Sequence, residues 1–280
     1  MDYKYWGGDN FYRSIVQKFR HNSRLFFKIG QFPNFLIAGV QKSATTTVFR
    51  QLTNHPEITG PLKKEIHFFD RFYQNKVDWY KSFFNSKNRK LTFEATPSYF
   101  YYPDTSLRIK NENKSIKVIV ILRNPIYRAI SQYQMLKRKG VEKNLNIISA
   151  FEYDLKKTKI EIKKINSTPN YISNYLIKFG YLVRGEYDVI YNEWATNIGK
   201  ENILLLQFED LIAEPEQFYN QITDFLKIKK YNFNLKKIYN TGKYNKIIEN
   251  KTLKFLIEYY KPHVLNLNRI QNKFFNWENF

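Results

Sequence analysis

Residues 35–48 read FLIAGVQKSATTTV. Four apolar residues meet Gly39, a turn carries Lys42, Ser43, Thr45 and Thr46, and a helical pattern follows. That order predicts a strand, a short loop and a helix. Such a unit aims unsatisfied backbone N–H groups and the positive end of the helix at one place. Lys42 adds a full charge there and the hydroxyls add donors, so the loop suits a phosphate-like anion. It is not a Walker A loop: that motif needs G-x-x-x-x-G-K-[ST], whereas Lys42 comes three residues after Gly39 with no second glycine before it.

The rest of the chain repeats the alternation. Residues 118–122 (VIVIL) are wholly apolar and rich in β-branched side chains, as expected of a strand buried on both faces of a parallel sheet. A helix is expected from about 125 to 139, with Pro125 at an early turn where its missing N–H costs little. Residues 91–94 and 203–208 read as further strands. Helices are expected near 45–54, after Asp104, through 147–200 with a break at 167–169, at 215–227 and at 251–260. Strands alternating with helices predict an α/β fold, one domain with a central parallel sheet flanked by helices. Ligands in such sheets bind beyond the carboxyl ends of the strands, which gathers Lys42, Glu94 and Arg123 near one crevice.

Four stretches, in order, resemble the sulfotransferases that use 3′-phosphoadenosine 5′-phosphosulfate (PAPS), most nearly the heparan sulfate type. They are GVQKSATT (39–46), KKEIHFFD (63–70), FEATPSYFYYP (93–103) and VIVILRNPIYRAISQY (118–133). A looser likeness continues through ILLLQFEDLIAEPE (203–216) and TGKY (241–244). The resemblance implies a P-loop-like sulfotransferase fold over residues 35–280, preceded by a basic and aromatic N-terminal extension over 1–34. It implies sulfuryl transfer from PAPS to a hydroxyl or amine of a carbohydrate-type acceptor, without a metal.

The same resemblance distributes roles. Gln41, Lys42, Ser43, Ala44, Thr45 and Thr46 would hold the 5′-phosphosulfate, with Lys42 stabilising the bridging oxygen as the bond breaks. The family often has glycine where Ala44 stands, and a Cβ there narrows the backbone's choices. Arg123 and Ser131 would grip the 3′-phosphate, Arg in bidentate fashion, and Gly242, Lys243 and Tyr244 would complete the nucleotide site. On the residues alone, Lys63-Lys64-Glu65 reads as a solvated turn anchored by Phe68 and Phe69. The resemblance instead makes Glu65 the general base facing the acceptor, with His67 as the alternative base and Lys63, Lys64 and Asp70 against the acceptor. Arg128 and Tyr133 read as decoration of a helix surface.

Composition bears on partners. The 280-residue chain carries a formal charge of +21 and 18% aromatic residues. Such charge suits an anionic partner, here the nucleotide and a carbohydrate acceptor, itself anionic in some cases. A nucleic-acid binder with stacking aromatics is the rival that composition allows, but most aromatics interleave with Ile and Leu, so nucleic acid is not the expected partner. The other rival, a P-loop kinase, needs a strand-end carboxylate for magnesium; VIVIL ends in Arg123, which counts against it, while Glu94 after LTF and Glu209-Asp210 after LLLQ keep it open. No cysteine is present, which removes disulfides and thiolate chemistry. No apolar run approaches the ~20 residues of a transmembrane span and residues 1–10 lack a signal-like apolar core, so the expectation is a soluble, cytoplasmic protein. Residues 11–29 have the pattern of a basic amphipathic helix, expected to pack on its own domain rather than lie on a membrane.

Overall fold

The apolar runs become the strands of one sheet. A computed structural model describes residues 11–84, 90–144, 146–235, 248–272, 275 and 277. Helix α1 (Phe11–Phe26) precedes β1 (Phe35–Gly39), α2 (Thr45–Leu52) and the two-residue β2 (Ile58–Thr59). Short helices α3 (Phe68–Arg71) and α4 (Val77–Lys81) lead to β3 (Leu91–Ala95), α5 (Thr105–Glu112), β4 (Lys117–Leu122) and α6 (Pro125–Arg138). The second half runs α7 (Ile147–Ser167), α8 (Asn174–Lys178), α9 (Tyr187–Ile198), β5 (Ile203–Gln207), α10 (Phe208–Ala213), α11 (Pro215–Leu226) and α12 (Asn250–Gln271).

Among the described residues the strands lie in the order β2-β3-β1-β4-β5, all parallel. From the central β1 the chain goes to β3 on one side and then to β4 on the other. The order therefore reverses at the end of β1, where a crevice opens in sheets of this kind. Each β1 residue from 35 to 38 is fully buried, and alternate side chains serve opposite faces. Leu36 and Ala38 join Val118, Val120 and Leu122 in a core closed by Trp194, Tyr80 and Phe69. Phe35 and Ile37 join Ile119, Ile121 and Phe93 under α2 and α11. Burial on both faces is why these strands read as unbroken apolar runs rather than alternating ones.

Two expectations are corrected. The helical stretch expected through 147–200 breaks into α7, α8, a 3₁₀ turn at Val183–Gly185 and α9. The last helix runs to Gln271, past exposed Pro262. A proline inside a helix removes one hydrogen bond and crowds the preceding turn, but Val264 and Leu267 beyond it are buried against the α9 side of the core, and that packing carries the helix onward.

Candidate active site

The loop after β1 is drawn tight against its neighbours. The Val40 N–H donates to Ile121 O at 2.9 Å, and Ser43 N–H donates to Val40 O at 3.3 Å. A Cβ on Gly39 would stand 2.7 Å from Cβ of Phe100, so the strand can end there only on a residue without one. Lys42 and Ala44 take left-handed backbone with φ 79° and 55°, and Ala44 is the N-cap of α2, without a side-chain cap. Left-handed backbone costs an L-residue roughly 1–2 kcal/mol, which is why glycine would sit more easily at position 44. Gln41, Lys42 and Thr46 are partly exposed, whereas Ser43 and Thr45 are buried. The Ser43 Oγ is sequestered with no hydrogen-bond partner among the described residues.

Arg123 leaves the end of β4 and turns back to this loop. Its Nη1 donates to Lys42 O at 2.9 Å, and its guanidinium lies 4.8 Å from the centre of the Phe208 ring. Tyr187 OH donates to Arg123 O at 2.9 Å and fixes the backbone there. Ser131 lies buried in the second turn of α6. Lys42, Ser43 and Arg123 therefore lie together at the carboxyl ends of β1 and β4.

Residues 63–70 line the β3 side. Glu65 and His67 are both left-handed (φ 58° and 60°) with buried Ile66 between them. This contorted turn is pinned by its middle: Ile66 N–H donates to Glu94 Oε1 at 3.1 Å. Glu94, fully buried at the end of β3, also accepts from Thr96 Oγ1 (2.6 Å), Tyr99 OH (2.9 Å) and Tyr80 OH (2.5 Å). Burial raises its pKa even against those hydrogen bonds. A carboxylate so enclosed has no edge left for a magnesium ion, and Glu209 is likewise engaged by Asn124 N–H (3.0 Å) and Trp277 Nε1 (3.1 Å). Glu94 and Glu209 are thus committed to other partners, while Asp210 beside Glu209 is partly exposed with Gln207 Nε2 3.3 Å from its Oδ2.

Glu65 is partly exposed, and Lys64 Nζ stands 2.5 Å from its Oε1. Desolvation opposes its charge, but Lys64, then His67 and Arg71, prevail and hold its carboxyl below the usual range. The Nε2 of His67 lies 3.9 Å from Glu65 Oε2, and its Nδ1 lies 3.0 Å from Asp70 Oδ2. Ser98 Oγ donates to the same Asp70 oxygen at 2.5 Å. Asp70 was expected against the acceptor. Instead it is fully buried beneath the imidazole, where it takes Nδ1–H and leaves Nε2 facing Glu65. Lys63 is pushed down to about 8 by burial, despite Glu65 beside it.

Two expectations about α6 fail. Arg128 and Tyr133 are buried, not surface decoration. Arg128 donates from Nη1 to Gln132 Oε1 at 2.8 Å and from Nη2 to Tyr181 O, while Tyr133 OH donates to Asn144 O at 2.7 Å. A further support was not foreseen. Arg184, buried and stacked 3.8 Å from the Tyr101 ring centre, donates to Gln41 Oε1 at 2.6 Å and to Leu176 O at 2.7 Å. Burial brings its pKa down to about 10. It braces the loop from 143 positions away, a pairing with no local sequence signal. Gly242, Lys243 and Tyr244 lie outside the described residues.

Against this geometry, residues 32–266 match the sulfotransferase domain family. The chain belongs to that family. The sulfotransferase is 27% identical over 322 residues to the membrane-associated sulfotransferase kil1 of Dictyostelium discoideum, covering 88% of this chain and 67% of the relative. It is 27% identical over 272 residues to human heparan sulfate glucosamine 3-O-sulfotransferase 3B1, covering 89% and 65%. The chain thus spans about two thirds of the length of these relatives. Among solved structures, a sulfotransferase from Alicyclobacillus acidocaldarius superposes with a TM-score of 0.71 at 22% identity, over 89% of this chain and all of that one. A mouse sulfotransferase complexed with PAP (SULT7A1) superposes at 0.53 and 13% identity. Both share the fold. No described helix of this sulfotransferase is long and apolar enough to cross a membrane.

Proposed function

We propose that the protein transfers a sulfuryl group from PAPS to a hydroxyl or amine of a carbohydrate-type acceptor. The observation that carries the reading is the hydrogen bond from Arg123 to the carbonyl of Lys42. It brings the two cationic segments of the motif set together, which suits a nucleotide with phosphates at both ends. The partnerless, buried Ser43 Oγ in the loop fits an incoming phosphate oxygen. Loss of hydrogen bonding at a buried hydroxyl costs about 1–3 kcal/mol, which a bound phosphate would recover.

When bound, PAPS supplies an activated sulfuryl group on a phosphate leaving group. Gln41, Lys42, Ser43, Ala44, Thr45 and Thr46 would hold its 5′ end, helped by the N–H groups that open α2. Arg123 and Ser131 would hold the 3′-phosphate, with Gly242, Lys243 and Tyr244 as further candidates. Lys42 offers the charge that steadies the leaving phosphate oxygen. Glu65 takes the acceptor proton: its carboxyl is lowered, so it stands ionised at neutral pH. His67, oriented by Asp70, sits on the far side of that carboxylate and is the alternative base. Lys63 and Lys64 face an anionic acceptor, such as the heparan sulfate named for the human relatives.

The test is transfer of radiolabelled sulfate from PAPS to a panel of glycans with a chelator present. The proposal expects labelled glycan from the wild-type protein and none from Lys42→Ala, with 3′-phosphoadenosine 5′-phosphate still bound by Glu65→Gln. Absence of labelling across neutral and acidic saccharides, with labelling of a phenol or lipid instead, would overturn the acceptor class.

A further inference from the structure

The described contacts of helix α1 with the domain lie along one side. His21, fully buried, lies with Nε2 3.2 Å from Trp79 O and its ring 4.1 Å from that of Phe83. Arg24 Nη1 donates to Ser82 O at 3.4 Å, and Leu25 packs on the core. On a helix these positions share a side. The opposite side carries Ile15, Phe19 and Phe26, spaced i, i+4 and i+11, with Phe19 and Phe26 73% and 81% exposed. Phe27 (65% exposed) and Ile29 extend the apolar surface into the turn that follows. Lys18 and Arg20, both exposed, fall on the two flanks of the stripe, and exposed Lys28 stands beside its end.

Large apolar side chains left bare in a row mark a contact surface, and the charge around them identifies the partner. From residue 10 to 56 the chain contains no aspartate or glutamate. An apolar stripe edged by lysine and arginine matches the boundary between acyl chains and anionic headgroups. A second copy is a poor occupant, because it would bring the same basic flanks and another +21 charge to the contact. We propose that residues 15–29 form a peripheral docking surface for an anionic phospholipid membrane. The domain rides above the membrane on a helix lying in its plane.

Co-sedimentation of the whole chain with vesicles tests this. With vesicles containing about 30 mol % phosphatidylserine at low salt, the protein is expected in the pellet, and in the supernatant with phosphatidylcholine alone or at high salt. The double variant Phe19→Ser/Phe26→Ser should lower the bound fraction about tenfold or more, with circular dichroism and nucleotide affinity unchanged. Lys18→Glu/Arg20→Glu should do the same through charge, and decides the matter if the phenylalanine variant folds poorly. Wild-type protein left in the supernatant, equal binding to uncharged vesicles, or full binding by the charge variant would overturn the proposal. So would a wild-type dimer that these variants dissociate, since the stripe would then be a self-contact.

Discussion

At Glu65 a carboxylate and an ammonium stand 2.5 Å apart on a left-handed turn. The lowered carboxyl sets the sign of the pH dependence. A base that ionises below the ordinary range is already available above it, so activity should fall only as pH drops through that lowered value. Lys63 acts at the other end: its cation is present below about 8 and lost above. The KM for an acidic acceptor should therefore rise as pH passes that point, with kcat less affected. A pH–rate profile measures both, and an acid inflection near neutrality, where histidines ordinarily titrate, would move the base away from Glu65.

Asp70 gives a second residue-level prediction. Burial disfavours its charge, but His67 and the Ser98 hydroxyl outweigh that and leave its pKa lowered. A group depressed on folding stabilises above its unfolded pKa and loses that contribution as pH falls through the folded one. Asp70→Asn should cost about 1–3 kcal/mol at neutral pH, and the deficit should shrink at acid pH, as pH falls through the lowered folded value. Urea titrations at the two pH values check this. An equal deficit at both would mean that charge plays no part.

What the sequence made legible differs residue by residue. The strand–loop–helix unit around positions 39–46 could be read because strand end, glycine, lysine and hydroxyls are contiguous. The role proposed for Glu65 came only through resemblance, since Lys-Lys-Glu beside two phenylalanines is an ordinary surface pattern. Arg128 was misread because arginine is rarely buried, and its acceptors, Gln132 and Tyr181 O, are set by packing. The inward aim of Asp70 was equally hidden: spacing puts an acid near His67 but says nothing of which side faces solvent.

Among the elements, β4 was the most legible, because burial on both faces leaves an unbroken apolar run. The stretch after α7 was the least, since its short helices are stitched by side chains from elsewhere. Asp154, for example, accepts from Gly180 N–H at 2.9 Å and Tyr181 N–H at 2.6 Å. Helix α12 invites a direct test. Pro262 is exposed inside it, and an interior proline costs up to about 3 kcal/mol relative to alanine. Pro262→Ala should raise stability by about 1–3 kcal/mol, seen as a higher melting temperature. A lower one would show that the proline's own packing outweighs the restored helix.

On the scale of the whole molecule, a sheet whose order reverses at β1 brings a loop, a strand end and a buried carboxylate turn to one edge. The +21 formal charge gives the molecule as a whole a positive field. The KM for an acidic glycan should consequently rise steeply with salt, while that for a neutral saccharide should change little. Initial rates across a salt series would reveal it, and equal salt dependence for the two would remove long-range charge from the account.

The central claim is that one crevice grips the nucleotide at both phosphorylated ends. Calorimetric affinities for 3′-phosphoadenosine 5′-phosphate and adenosine 5′-phosphate, with wild-type protein and Arg123→Ala, test it most directly. The account predicts a wild-type preference for the doubly phosphorylated nucleotide of about 1.5–3 kcal/mol, largely erased in Arg123→Ala while adenosine 5′-phosphate binds as before. An undiminished preference in the variant would contradict it.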